Sequence, residues 1–185
     1  GGYLLAIMNK ALTQVLPHPS SINSNVYYLD RTEPELAELH VEILRTSRGS
    51  SMGQVKLIQN KKLTCLLSAL CSDFEYMKGY SGLSTSLPQI MDSFPKEDFK
   101  IMNYENFKLG STPSFIQQLD MLVHPNHAWW DREISTDDAE ARCSAYLELQ
   151  GGVADTFVLS YLSDILPPVV QNKYGPLGWV PTLAL

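Results

Sequence analysis

The chain has 185 residues, 44% of them hydrophobic and 18% charged, enough for one large domain or two small ones around an ordinary core. Its net charge is −6 and its basic residues are scattered, with Arg45 and Arg48 the nearest thing to a patch, which argues against a phosphate-tracking nucleic-acid surface. Three cysteines, Cys65, Cys71 and Cys143, make no CxxC pair and no Cys/His ladder, so a reducing, cytoplasmic setting is expected without a disulfide framework. No apolar run reaches the roughly 18 residues of a membrane span, and no targeting signal, metal or cofactor is expected.

Gly1-Gly2 opens a predicted helix over Tyr3–Leu16, in which Leu4, Leu5, Ile7, Met8, Ala11, Leu12 and Val15 cover most of the circumference. Such a helix is buried rather than half-exposed, and "PHPSS" stops it. Strands follow. "SINSNVYYL", Ser21–Leu29, is β-rich at its end. "LAELHVEILRT" alternates Leu39, Val41 and Ile43 against Glu38, His40 and Glu42. "SSMGQVKLIQ" places Val55 and Leu57 on one face. "NKK", Asn60 to Lys62, makes a tight turn into the apolar strand "LTCLLSALCSDF". Residues 37–74 therefore read as a three-stranded antiparallel meander laid down after a helix and one strand.

Residues 75–110 lose this periodicity and read as a connector. "SFIQQLDMLV" and "ARCSAYLELQ" are further strand candidates. "GGVADTFVLSYLSDILPPVV" then repeats the opening pattern, with two glycines before a buried helix that Asp155 or Thr156 can cap. "GWVPTLAL" reads as a strand after that helix. Setting "YLLAIMNKAL" over "FVLSYLSDIL" aligns the apolar positions and puts Lys10 opposite Asp164. The order suggests a duplicated unit, each copy a buried helix wrapped by an antiparallel sheet, with both ends of the chain cut through structured elements.

Within Thr156–Val170 the single carboxylate is Asp164, near the middle of the predicted helix. A buried carboxylate is costly unless it is paired, hydrogen-bonded or used in chemistry, which makes Asp164 a candidate site residue. Backbone N–H groups at a helix start can face a developing oxyanion, and the small residues of Gly1-Gly2 and Gly151-Gly152 allow close approach, so Gly2 and Gly152 are candidate donors.

A long buried helix embraced by a curved antiparallel sheet is the hot-dog arrangement. "GGYLLAIMNKAL" followed by "NVYYLDRTEPELAELHVEILRTSRGSSMGQVKLIQNKKLTCLLSALCSDF" resembles the first half of the double hot-dog acyl-CoA thioesterases, of the acyl-CoA thioesterase II type and the wider thioesterase-like superfamily. "LSYLSDILPPVV" and "GWVPTLAL" resemble the start of their second half. The resemblance implies an α+β double hot-dog fold: a first unit over 1–74, a connector over 75–110, and a second unit over 111–185, incomplete at its C-terminus. It implies a hydrolase in which an Asp, a Thr and a Gln orient a water against a thioester carbonyl. The Asp falls on Asp164 and the Thr on Thr182, while the Gln would lie beyond Leu185. The implied substrate is an acyl-CoA or a carrier-bound acyl or polyketide chain, and the implied assembly a homo-oligomer. The alternative is a non-hydrolytic hot-dog protein that binds or tailors such an intermediate. Many relatives carry Arg at the position of Asp30 and near Glu148, changes that bear on an oligomer contact or a substrate channel.

Rival constellations are weaker. "GYSG", Gly79 to Gly82, is one residue short of a nucleophile elbow and is not set between a strand and a helix. "HPNH", His124 to His127, is interrupted by Pro125 and lacks a third metal ligand nearby. His18 and His40 belong to no hydratase-like motif, and "AWWD", Ala128 to Asp131, reads as a packing element.

Overall fold

A computed structural model describes residues 1–80, 82, 94–102, 118–131, 139–153, 155–175 and 180–185. The chain divides into two compact units. One comprises Gly1–Tyr80, Ala154–Asp164 and Pro181–Leu185; the other comprises Ser81–Val153 and Ile165–Val180.

The first unit is built on helix α1 (Gly2–Val15) and four antiparallel strands, β1 (Ser20–Tyr28), β2 (Glu38–Thr46), β3 (Ser50–Gln59) and β4 (Lys62–Ser72), in the order β1-β4-β3-β2. The predicted meander is present, and β1 closes it by pairing along the free side of β4. The β3–β4 turn holds Asn60 at φ 51° and Lys61 at φ 63°, the left-handed pair that a two-residue hairpin needs. Strand alternation sets one face inward. Val26 and Val55 both pair with Leu67, and Tyr28 and Leu57 both pair with Cys65, so these side chains share a face. Against that face lie Leu5, Met8, Leu12 and Leu16 of α1, forming the core with Val26, Val55, Leu57, Cys65, Leu67, Ala69 and Cys71. Gly53 permits the close approach, since a Cβ there would come within 2.6 Å of Leu12 Cδ1 and 2.9 Å of the Glu42 carbonyl oxygen.

The helix is buried along one stripe, not round its circumference. Tyr3 and Val15 are each 50% exposed, while Asn9, a polar residue, is buried. Asn9 is satisfied on both ends: its amide donates to Ser160 Oγ at 3.3 Å and its Oδ1 accepts from Ser24 Oγ at 2.9 Å. Asp30, at the end of β1, is ion-paired with Lys62, which holds its carboxyl below the usual carboxylate range.

Helix α2 (Thr156–Leu162) packs against α1 within this unit. Asp155 caps it, accepting from Phe157 N at 2.9 Å and Val158 N at 2.8 Å. The helix predicted through Val170 stops at Leu162, and this corrects the placement of Asp164: the acid stands in the turn after the helix. The reason is the Pro167-Pro168 pair. A proline at 167 has no N–H to give and would clash with the carbonyl of residue 163 in a continuing helix. At the C-terminus, the predicted strand is reduced to a single bridge, Ala184 to Tyr27. Around it the backbone still pairs with β1: Val26 N donates to Leu185 O at 2.8 Å, Leu185 N to Val26 O at 3.0 Å, and Tyr28 N to Leu183 O at 3.0 Å.

The second unit contains β5 (Lys100–Ile101), β6 (Leu119–Val123) and β7 (Ala145–Leu149), antiparallel in the order β5-β6-β7, and helix α3 (Val169–Tyr174). Most of the predicted connector, Ser81 of "GYSG", residues 114–117 of "SFIQQLDMLV" and residues 178–179 of "GWVPTLAL" lie outside the described residues. No helix among the described residues is long and apolar enough to cross a membrane.

Candidate active site

Three parts of the first unit meet at Asp164. The turn after α2 presents the carboxylate, whose side chain is 21% exposed. Pro181–Leu185, held along β1, presents Thr182, whose hydroxyl donates to Asp164 Oδ1 at 2.9 Å. The N-cap of α1 presents the nitrogen of Gly1, 3.1 Å from Asp164 Oδ2. The carboxylate thus stands at the positive end of a 14-residue helix, where a negative charge is favoured. A carboxylate has about four lone-pair positions, so two protein donors leave room for further ones.

The glycines that open the chain are explained by this junction. A Cβ on Gly1 would overlap Asp164 Oδ2 and reach 3.1 Å from the Tyr28 hydroxyl. A Cβ on Gly2 would overlap the Tyr161 carbonyl oxygen and stand 3.0 Å from the Ser160 carbonyl oxygen. The two helices therefore touch backbone to backbone at Gly2. Gly2 is the first helical residue, where N–H groups have no acceptor within the helix.

Gly152, the other candidate donor, is differently placed. It belongs to the second unit, in the turn after β7, and its N–H donates to Leu149 O at 3.3 Å. Its amide is engaged locally, as in a turn, and it is not brought to Asp164 within the first unit.

Tyr28 is a neighbour that the sequence did not single out. Its hydroxyl is buried and has no hydrogen-bond partner among the described residues. Burial pushes its pKa well above the usual tyrosine range, and the charge of Asp164, then of Cys65, adds to the rise. The signal available in the sequence was the alternation Ser24, Val26, Tyr28, which sets the phenol on the inner face at the end of β1.

Among the described residues, no cluster of three or more His, Cys, Asp or Glu side chains is arranged to hold a metal ion. "HPNH" forms a 3-10 turn over Pro125–His127 in the second unit. Both Nδ1 atoms are engaged: His124 accepts from Asn126 N at 3.2 Å within the turn and His127 from Ser144 N at 3.1 Å outside it. "AWWD" is a second 3-10 turn over Trp129–Asp131, with the two indoles edge-to-face at 5.9 Å. In the first unit, His18 is buried against Ser51 Oγ at 2.6 Å and Arg48 O at 3.3 Å, a latch between the end of α1 and the β2–β3 region.

Helix, four-stranded sheet and core define a hot-dog fold, and solved structures bear this out. The chain is similar over 100% of its length to a thioesterase II candidate from Thermobifida fusca (TM-score 0.76, 18% identity), covering 68% of that chain. It is similar over 100% of its length to a hot-dog protein from Alicyclobacillus acidocaldarius (TM-score 0.70, 18% identity), covering 64% of that chain. An acyl-CoA thioesterase II from Mycobacterium marinum matches 89% of this chain at TM-score 0.55 and 14% identity, with 58% of that chain covered. The chain thus spans less than two thirds of the latter two structures. Residues 1–72 match a family described as the acyl-CoA thioesterase N-terminal domain. Curated proteins give no match.

Proposed function

We propose that this chain carries an acyl-thioester hydrolase site, with Asp164 as general base, Thr182 as the hydroxyl that orients the water, and an acyl-CoA or carrier-bound acyl chain as substrate. The observation that supports it is the Thr182–Asp164 hydrogen bond of 2.9 Å beside the start of α1, in the unit whose first 72 residues match the thioesterase domain.

The chemistry follows from the hydrogen-bond directions. Thr182 gives its proton to Asp164 Oδ1, so its own lone pairs are free to accept. A water donating one hydrogen to Asp164 and the other to Thr182 turns a lone pair toward an incoming carbonyl carbon. Thioesters need little more, because the carbonyl is electrophilic and thiolate leaves readily. Proton removal by Asp164 and positioning of the water are the two tasks left to the protein. The Gly2 amide, at the start of α1, is a further candidate donor.

The test is thiol release from short-, medium- and long-chain acyl-CoAs, run beside Asp164→Asn. Turnover on at least one chain length that collapses in the variant, with circular dichroism unchanged, is the expected outcome. No turnover on any chain length, or turnover indifferent to the substitution, overturns the hydrolytic reading in favour of a protein that binds or tailors acyl intermediates.

A further inference from the structure

We propose that the Tyr28 hydroxyl is the donor that holds the thioester carbonyl oxygen as it becomes an oxyanion. The inference deepens the hydrolase reading and rests on it.

Three observations carry the assignment. First, two of the other polar groups at this junction are directed at Asp164. Thr182 donates to Oδ1 at 2.9 Å and the Gly1 nitrogen lies 3.1 Å from Oδ2. Both are engaged with the base, which leaves the Gly2 amide and the Tyr28 hydroxyl as the donors beside it. Second, the Tyr28 hydroxyl is buried with no hydrogen-bond partner among the described residues, although a buried hydroxyl ordinarily finds one. Third, it lies close to the carboxylate. A Cβ on Gly1 would overlap Asp164 Oδ2 and lie 3.1 Å from the Tyr28 hydroxyl. In a tetrahedral intermediate the attacking oxygen and the former carbonyl oxygen are bonded to one carbon, so base and oxyanion donor must stand this near each other.

The chemical state of the phenol fits donation and excludes a second base. Burial and the adjacent Asp164 charge both favour the protonated form, so Tyr28 keeps its proton wherever Asp164 is ionised. In the step, the water oxygen bonds to the carbonyl carbon and Asp164 takes the water proton. The C=O electron pair moves onto oxygen, facing the Tyr28 O–H. Collapse restores C=O, breaks the C–S bond, and returns the proton from Asp164 to the departing thiolate. Nothing is oxidised or reduced.

Tyr28→Phe tests this, because it removes one oxygen and keeps the ring. Loss of an oxyanion donor lowers kcat on the order of 10²-fold with little change in KM. The folded chain should at the same time lose nothing, since deleting an unpartnered buried hydroxyl leaves no group unsatisfied; the thermal midpoint should hold or rise. A structural role predicts the opposite sign, a lower midpoint accompanying the slower rate, and that pattern would overturn the assignment. A second measurement is binding of two non-hydrolysable acyl-CoA analogues. A trifluoromethyl ketone, which forms the oxyanion-like hydrate, should bind the variant at least about 10-fold more weakly, and a thioether lacking the carbonyl should bind both proteins alike. Equal affinity of both proteins for the ketone counts against Tyr28. If the unaltered chain releases thiol and Tyr28→Phe does so equally fast, this assignment fails while the hydrolase reading stands. If the unaltered chain releases no thiol, both fail.

Discussion

The "HPNH" and "SDILPP" turns each hold a titratable side chain near a proline, and they are built differently. At "HPNH" the bond to His124 is local, from Asn126 N two residues on, while His127 accepts from Ser144 N, and the His124 ring meets Phe94 and Phe99 edge-to-face at 4.7 and 5.5 Å and His127 at 4.7 Å. At "SDILPP" the partners are distant in sequence: Asp164 meets Thr182, 18 residues away, and Gly1, the N-cap of α1. Beside each turn one buried polar atom has no hydrogen-bond partner among the described residues, Nε2 of His124 at the first and the hydroxyl of Tyr28, on β1, at the second. Their surroundings differ. His124 is set among aromatic rings, whereas Tyr28 borders a carboxylate. The first arrangement holds an imidazole in aromatic packing, while the second brings three segments to one carboxylate.

The sharpest way to break that contrast is to disable each turn and compare rates. Asp164→Asn should lower thiol release by roughly 10²- to 10⁴-fold, the span of a lost general base, while His124→Phe should leave kcat within about twofold. Equal losses from both substitutions would erase the distinction. Thr182→Val comes next. It keeps the shape of the side chain and removes the hydroxyl, so kcat should fall about 10- to 100-fold as the water loses one of its two acceptors. A rate unchanged in this variant would show that Thr182 only packs against β1.

How much of this contrast could be read from the sequence depends on the range of the interactions involved. The strands of the first unit were legible because Leu39, Val41, Val55 and Leu57 alternate with polar neighbours, and the hairpin because Asn60 tolerates a positive φ. Asp164 was visible as an isolated acid in an apolar run, but its place in the predicted helix was wrong. The apolar period continues past the point where Pro167-Pro168 ends the helix, so periodicity alone carries the helix too far. For Tyr28 the alternation along β1 gave the face but not the neighbour. Tyr28 is one aromatic residue in a β-rich stretch, and only the pairing of β1 with β4 and the packing of α1 bring it to Asp164. The opening glycines stand out as small residues, but that Gly2 serves a contact with the Tyr161 carbonyl depends on where α2 lies, which no local pattern encodes.

That contact gives a third, smaller prediction. Gly2→Ala places a Cβ where the Tyr161 carbonyl oxygen stands, with no flexible side chain to move aside. The helices must separate or shift, and overpacking of this kind costs about 1–3 kcal/mol, to be read from urea denaturation. Because Gly1 and Asp164 sit at the same junction, thiol release should fall as well. Gly152→Ala, against the flexible Leu149 side chain in the second unit, should leave turnover unchanged. A Gly2→Ala protein as stable and as active as the parent would mean that the close approach of α1 and α2 does not require a glycine.

The smallest effect belongs to the "HPNH" turn and concerns stability, not rate. Burial lowers the pKa of His124, so the folded chain favours the neutral imidazole more than the unfolded chain does. The unfolded state then binds more protons as pH falls, and the sign follows: the contribution of His124 to stability is complete above about 6.5, the ordinary histidine value, and is lost as pH drops through the lower folded value. Other acids and the remaining histidines tilt the same profile, so only a difference between proteins isolates this one. Urea midpoints measured from about pH 7.5 to about pH 5 should decline more steeply in the parent than in His124→Phe, whose ring cannot charge. The same flattening should follow when His124→Phe is made in an Asp164→Asn chain, since the two turns share no residue. Parallel slopes for parent and His124→Phe would mean that the imidazole among Phe94, Phe99 and His127 is no less ready to charge than one in water, and the aromatic packing would lose its place as the physical basis of that turn.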